Sequence, residues 1–506
     1  MAPRRYIFRK QRVWVSSPFL MFVLLLSIMG GLFITQGFRR GDVKPLFMPT
    51  PTPTRVALSF ANEAETHYKA GNLDAAIASY QEAISVDPEN GRLYAEMAMI
   101  MTYSTQLKST EREKQARFDQ AIEAAEQAVL LSPDDSTAHA VRAFALDWYA
   151  GFVRYILLDP DQATRLLTDA EQAVSRAITL DETNVLAQVF RAEIMNDQMR
   201  WDQANASIAA ALERAPDLWD AHRVNGLILE SQGYYMDSID AFKEAVRLAP
   251  NMTFLYIKLG QSYRSLALKT NSDLLYDQAI DHFAQAAALN EQLGIQDPIP
   301  YLGIGRTYAQ IGESLASSLN MNKALQYNPY DPDVYAQLGM VYRQARNYED
   351  AISALKCATR GCTAEETCAL RKCDPDVDQP IIIEGMNLTG LTVVYYYSYA
   401  SLLAAMYLPS DARRANYCNE AMDMIGEIRA SAYGSDQTIS DILSESESIC
   451  RAMTSGGRSS EDDTGPPAAT PDPTQRVLTQ TAAAPTPTRT PIPTATLFPT
   501  PKPPSP

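Results

Sequence analysis

Between Leu58 and Arg360 apolar and polar positions alternate with a helical period, and that pattern itself repeats eight times. Small residues stand where two amphipathic helices would cross, and glycine or polar residues separate the helices. The clearest unit runs from Trp219 to Pro250, with Gly226, Gly233, Tyr235, Phe242, Ala245 and Pro250 at fixed offsets. The next restarts 34 residues after Gly226, at Leu259-Gly260, with Tyr263 three residues on. After an insertion the phase returns at Gly305, Tyr308, Gly312, Ala324 and Pro329. It returns again at Leu338-Gly339, Tyr342, Tyr348, Ala351 and Ala358. A period of this length predicts stacked helical hairpins, because each hairpin has an apolar face that only a neighbour covers. Such a stack presents a long concave surface and no catalytic cleft, which points to binding rather than chemistry.

The same residues resemble the tetratricopeptide repeat family. Its pattern places an aromatic early in the first helix, then Leu-Gly-x-x-Tyr and Gly; the second helix carries Ala, an aromatic and Ala, with Pro at the end. Glu63-Ala64, Gly71, Ala76, Tyr80, Ala83 and Pro88 fit the first unit, with His67 in place of the usual Tyr. The next three units keep Tyr94, Ala98, Ala121 and Ala128; Ala143, Ala170 and Ala177; and Ala192, Ala204 and Ala211. Unit ends are spaced 45, 49, 34, 34, 41, 38 and 34 residues apart, so several units carry insertions. The resemblance covers about three-fifths of the chain. HEAT-type repeats would lack this spacing, and Sel-type repeats would be longer and richer in glycine.

The resemblance implies an all-α, right-handed solenoid of antiparallel hairpins that holds an extended peptide against the first helix of each hairpin. Carried onto the four best-fitting units, the family's groove positions give Asp220, Arg223, Leu227 and Glu230; Phe254, Ile257, Gln261 and Arg264; Leu302, Arg306 and Gln310; and Asp333, Met340, Arg343 and Gln344. The expected peptide-binding groove is Arg223, Glu230, Ile257, Gln261, Arg264, Leu302, Arg306, Met340 and Arg343. Guanidinium groups suit carboxylates through paired bonds that Lys does not make. The competing reading pairs these arginines with acids of adjacent helices. Leu227 stands where a chaperone-tail clamp needs Asn, which disfavours that clamp.

The N-terminal region follows a different pattern. Pro18 to Gln36 holds no charge, and as a helix it would span roughly 28 Å, close to a bilayer core. Arg4, Arg5, Arg9, Lys10 and Arg12 precede it, whereas only Arg39, Arg40 and Lys44 follow. The positive-inside rule then places the N-terminus in the cytoplasm and the repeats outside. A cleaved signal peptide is the alternative, but Leu32, Phe33, Ile34 and Phe38 crowd the end of the apolar run where a small-x-small site would stand.

Charge narrows the partners. The chain carries a net charge of −16. The first 44 residues are basic, so the remainder is more acidic still, which argues against nucleic acid and anionic headgroups as partners. All six cysteines, Cys357, Cys362, Cys368, Cys373, Cys418 and Cys450, lie in one region. An even set outside the membrane reads as three disulfides. Cys418 with Cys450 would staple a terminal cap to the last hairpin, and the other four can join in three ways. Zinc needs closer pairs than C-x4-C-x5-C-x4-C. The four histidines fall in separate repeats, and no phosphate loop, nucleophile elbow or HExxH is present. The sequence therefore predicts no enzyme, no cofactor and no metal site.

These readings divide the chain into a cytoplasmic basic segment (1–17), a transmembrane signal-anchor helix (18–38), a Pro/Thr spacer (39–55), about eight repeats (56–360), a Cys-rich loop insertion (361–390), a degenerate hairpin with capping helix (391–453) and a disordered Pro/Thr-rich tail (454–506). The function they imply is a membrane-anchored, extracytoplasmic scaffold that binds a protein or peptide partner in its concave groove. The alternatives are an accessory or regulatory subunit of envelope glycosyl-transfer or secretion machinery, and a cytoplasm-facing adaptor. The sequence leaves the partner's identity and the oligomeric state open.

Overall fold

The computed structural model describes residues 17–40, 55–374 and 379–455. The basic segment before residue 17, most of the spacer and the Pro/Thr-rich tail lie outside the described residues. The chain divides into two units, residues 1–447 and 448–506. Of the second, residues 448–455 are described; they are helical, and Cys450 within them is buried.

In the first unit, helix α1 (Pro18–Arg40) is followed by eight helical hairpins. They are α2 (Ala57–Lys69) with α3 (Leu73–Val86), α4 (Gly91–Ser104) with α5 (Glu111–Leu131), α6 (Ser136–Tyr155) with α7 (Pro160–Leu180), and α8 (Val185–Asp197) with α9 (Trp201–Arg214). Then come α10 (Trp219–Ser231) with α11 (Tyr235–Leu248), α12 (Thr253–Thr270) with α13 (Asp273–Leu293), α14 (Ile299–Gln310) with α15 (Ser314–Tyr327), and α16 (Pro332–Gln344) with α17 (Tyr348–Arg360). A short helix α18 (Ala364–Arg371) leads to α19 (Val393–Met406), α20 (Tyr417–Ala430) and α21 (Gln437–Ser455). In each of the eight hairpins the two helices pack on each other, and the second helix packs on the next hairpin. The alanines of the repeat pattern, Ala98, Ala121, Ala143, Ala170, Ala192, Ala204 and Ala245 among them, have no exposed surface.

Local chemistry explains where the helices begin. Asn72, Asp159 and Asn184 accept the backbone N–H three residues on, and Asp135 and Asp331 the one two residues on. Each satisfies a donor left over in a first turn. At the crossing of α10 and α11, a Cβ on Gly226 would lie 2.9 Å from the Phe242 ring. The missing side chain is what lets that ring seat. A second recurring contact seals the loops between hairpins. Nε2 of His139 and His222 lies 2.9 and 2.7 Å from the carbonyl oxygens of Pro133 and Pro216. The hydroxyls of Tyr256 and Tyr335 donate to those of Pro250 and Pro329 at 3.0 Å. Two of the four histidines are thus loop clasps, six residues after a proline.

Winding brings distant hairpins together. Asn251 donates its side-chain amide to Lys69 O (2.9 Å), 182 residues earlier. Asn328 does the same to Ser109 O at 3.0 Å, and the Ser109 hydroxyl bonds Gln296 O. Inside this turn Tyr103 stacks on Phe254 at 5.9 Å between ring centroids and meets Trp219 at 5.2 Å. The open concave surface expected along the whole stack is therefore closed over α2–α12, because aromatic side chains of the first helices meet across it.

Two disulfides join sequence neighbours, Cys357 to Cys362 and Cys368 to Cys373, and none of the six cysteines is a free thiol. The segment expected as a Cys-rich loop contains α18, started by Thr363 and Glu366, which bond each other's backbone N–H. Ile383 then pairs with Cys362 in an isolated antiparallel bridge.

The apolar side chains of α1 from Phe19 to Phe33 are exposed, Phe33 by 82%. Among the described residues no helix is long and apolar enough to cross a membrane. The expected transmembrane anchor is thus not shown by the fold.

Candidate functional site on the concave face

The first helices of successive hairpins place equivalent residues in a stripe down the inner face. Four residues after each small crossing residue (Ala143, Ala192, Gly226, Gly260 and Gly339) stand Asp147, Asn196, Glu230, Arg264 and Arg343. The stripe is acidic or neutral over α6, α8 and α10 and basic over α12 and α16. This change of sign divides the inner face into two regions.

In the first region Arg223 is a correction to the expected groove. Its side chain is 3% exposed, and it donates from Nη1 and Nη2 to Glu193 at 2.6 and 2.7 Å and from Nε to Asp220. Trp148 Nε1 also donates to Glu193 (3.0 Å), and the guanidinium lies 5.2 Å from the Trp148 ring. The acids on either side hold Arg223 protonated. It is a structural ion-pair member, buried against two carboxylates and out of reach of a peptide on the surface. Ile257 and Leu302 are likewise buried, 5% and 7% exposed, in the apolar packing between neighbouring hairpins. Glu230 is half-buried and accepts from the Ser262 hydroxyl at 3.1 Å.

Beside this network lies a cavity of about 520 Å³ bounded by α5, α6, α8, α10 and α12. Asp147 forms part of its wall with 1% exposure, and neither of its carboxylate oxygens has a hydrogen-bond partner. Burial, and then the charges of Asp197 and Glu193, push the Asp147 carboxyl well above the usual range. Asp197 opens to solvent and is raised to about 6 by the protein around it and by Glu193. Sequence reasoning missed Asp147, Trp148 and Glu193. Asp147 follows Ala143 by four residues, as Glu230 follows Gly226, and Glu193 follows Ala192 by one, as Leu227 follows Gly226, in hairpins too degenerate for the groove positions to be carried over; Trp148 stands at neither offset.

The second region lies on α12, α14 and α16. Arg264 is half-buried and makes no hydrogen bond or ion pair among the described residues; its guanidinium lies 5.8 Å from the Phe283 ring. Burial, and then repulsion from Arg306, lower its pKa to about 10. Arg306 donates to Gln337 at 2.7 Å and to Asp333 at 3.3 Å, and Tyr395 also donates to Asp333. Gln261, Met340 and Arg343 are half-buried on the same first helices, and Gln310 and Gln344 are exposed. The structure thus brings Arg264 and Arg306 together and leaves Arg223 apart from them. Among the described residues no three His, Cys, Asp or Glu side chains are placed to hold a metal ion.

Tetratricopeptide-repeat family profiles match residues 57–90, 197–253 and 332–360. Among solved structures, the chain is similar to a thermophilic TPR protein of Thermus thermophilus, at 16% identity over 41% of this chain and 98% of that one, with a TM-score of 0.34. The human IFIT1 dimer with m7Gppp-AAAA aligns at 14% identity over 81% and 92% of the two chains, with a TM-score of 0.49. PilW, a type IV pilus biogenesis factor, aligns at 14% over 52% and 99%, with a TM-score of 0.38. A comparison with curated proteins finds no match. Three segments within this stack of eight hairpins are thus tetratricopeptide repeats by their profile matches, which supports the repeat reading of the stack.

Proposed function

We propose that the chain is a membrane-anchored scaffold whose repeats lie outside the cytoplasm and hold an extended acidic or C-terminal peptide of a partner protein against α12, α14 and α16. The repeats support a protein-interaction role. The observation that carries the peptide reading is Arg264, a half-buried guanidinium without a carboxylate, beside a second arginine. Two cations drawn together in a partly dry site are destabilising unless an anion joins them. A peptide carboxylate supplies that anion and bonds a guanidinium through two parallel contacts. Arg306 and Asp333 are 39% and 42% exposed, so their bond is worth about 0–1 kcal/mol and opens readily for a ligand.

The anchor reading rests on the uncharged run Pro18–Gln36, its five preceding and three following basic residues, and the exposed apolar surface of α1. Two experiments test the proposal. Peptide arrays probed with the full chain should favour acidic peptides with free C-termini over the same peptides amidated; equal binding removes the carboxylate reading. Protease added to intact spheroplasts should digest the repeats, and protection until lysis reverses the topology.

A further inference from the structure

The acidic cavity is a second site, distinct from the arginine pair and independent of the reading given above. Its buried polar atoms are unbalanced in one direction. Both oxygens of Asp147 and Oδ1 of Asn196 are buried without a partner, and both residues border the cavity. All are acceptors in the ionised state. Buried polar groups in folded proteins almost always find partners, and each orphan costs about 1–3 kcal/mol. A row of orphan acceptors calls for a ligand that brings donors.

The other charges around the cavity do not meet that need. Arg223 is held by Glu193 and Asp220. Lys114 and Lys258 are the remaining cations of the wall, set against the acids Asp147, Asp197 and Glu230, and neither lysine bonds Asp147. The walls also carry the rings of Phe118, Trp148, Phe152 and Phe254. Carboxylate at depth with aromatic faces beside it suits a cation on a carbon chain, through charge and through the ring quadrupole. Tyr155 is 73% exposed and Ser231 is exposed, so the cavity has a solvent-facing mouth.

We propose that this cavity binds a primary alkylammonium, with Asp147 as the counter-charge, Asn196 Oδ1 as a further acceptor, and the rings of Trp148, Phe152 and Phe254 against the carbon chain. The ammonium is that of a free diamine or of a lysine side chain on a basic peptide; the chemistry recognised is the same. Burial and the neighbouring acids keep the Asp147 carboxyl protonated more readily than an ordinary one. Arrival of the ammonium therefore ionises it, and the proton passes to the buffer. Affinity rises with pH while Asp147 is the group that ionises, with Glu193, Asp197 and Glu230 opposing its ionisation and Arg223, Lys114 and Lys258 favouring it.

Isothermal titration calorimetry of the full chain tests this with cadaverine and with an acetylated, amidated trilysine peptide. One of the two should bind, and the tighter one names the source of the ammonium. Asp147→Asn should weaken that binding at least tenfold, whereas Glu89→Gln, at an exposed acid of another hairpin, should leave it unchanged. A reading that needs no variant is the buffer dependence of the wild-type enthalpy between about pH 4 and 7, which should show proton release in the range where free Asp147 still holds its proton. Absence of binding by both probes in the millimolar range overturns the proposal. So does binding that Asp147→Asn leaves intact, binding without proton release, or a calcium titration that depends on Asp147 where the amines do not.

Discussion

Arg223 and Glu193 form a two-bond ion pair at 2.6 and 2.7 Å between α10 and α8, with both side chains nearly free of solvent. Asp220 and Trp148 complete the network, so three consecutive hairpins are tied together on their inner faces. Removing one member of a buried pair leaves an uncompensated charge, which costs about 3–5 kcal/mol. Arg223→Ala is therefore expected to destabilise the chain by that amount in urea denaturation. Arg223→Met with Glu193→Gln, which removes both full charges of the pair, should cost less than Arg223→Ala alone. Equal losses would show that packing, and not charge, dominates here.

The contact between Asn251 and Lys69 O ties the first hairpin to the loop before α12. Gly71 makes the approach possible: its φ is +80°, and a Cβ there would lie 2.2 Å from Asn251 O. Gly71→Ala combines left-handed strain with a backbone clash and should cost about 2–4 kcal/mol. Amide exchange of α2 and α3 should accelerate, while that of α16 and α17 stays unchanged. Uniform acceleration would mean that the solenoid unfolds as one unit from this contact.

Asp147 should make stability depend on pH with a definite sign. Its folded pKa is raised, so the folded chain keeps a proton that the unfolded chain releases above about pH 4. The stability it contributes is full below that pH and is lost as pH climbs toward the folded value. The difference in unfolding free energy between wild type and Asp147→Asn should therefore fall with rising pH, by up to about 1.4 kcal/mol per unit. Denaturant titrations from pH 4 to 7 check this; a difference that stays flat or rises contradicts it.

The hairpins were legible in the sequence because their signal is steric and local. Gly226 and Phe242, or Ala143 and Ala170, mark crossings that only small residues permit, and the Asp and Asn caps mark where helices start. Helix α18 was equally readable from Thr363-x-x-Glu366, yet the cysteines around it suggested a loop. The closure of the inner face was not legible. It depends on superhelical winding, which sums small rotations over many hairpins, and no single residue encodes it. That winding is why Arg223 is buried while Arg264, on the next hairpin, lacks an acidic partner.

Met199 and Arg346 show the same limit from the other side. They occupy the turn position held by Gly71, Gly233 and Gly312 in other hairpins, and they keep its left-handed geometry at φ 59° and 60°. Met199 is 70% exposed and packs little. Met199→Gly should relieve about 1–2 kcal/mol of strain against about 0.5–1 kcal/mol of added chain entropy, for a small net gain. A lower midpoint in thermal unfolding would show that its side chain packs more than its exposure indicates.

The peptide-binding account rests on Arg264 and Arg306 acting together on a carboxylate. An acidic peptide selected on the array, carrying a fluorophore, should bind the full chain in an anisotropy titration. Replacing both arginines by Met should weaken it by about 2–4 kcal/mol, since each contact is desolvated in the complex. The unfolding midpoint should change little, because relief of the repulsion between the two arginines offsets loss of the half-exposed Arg306 contacts to Asp333 and Gln337. Unchanged affinity in the double variant, or lost affinity only because the chain unfolds, would contradict the account.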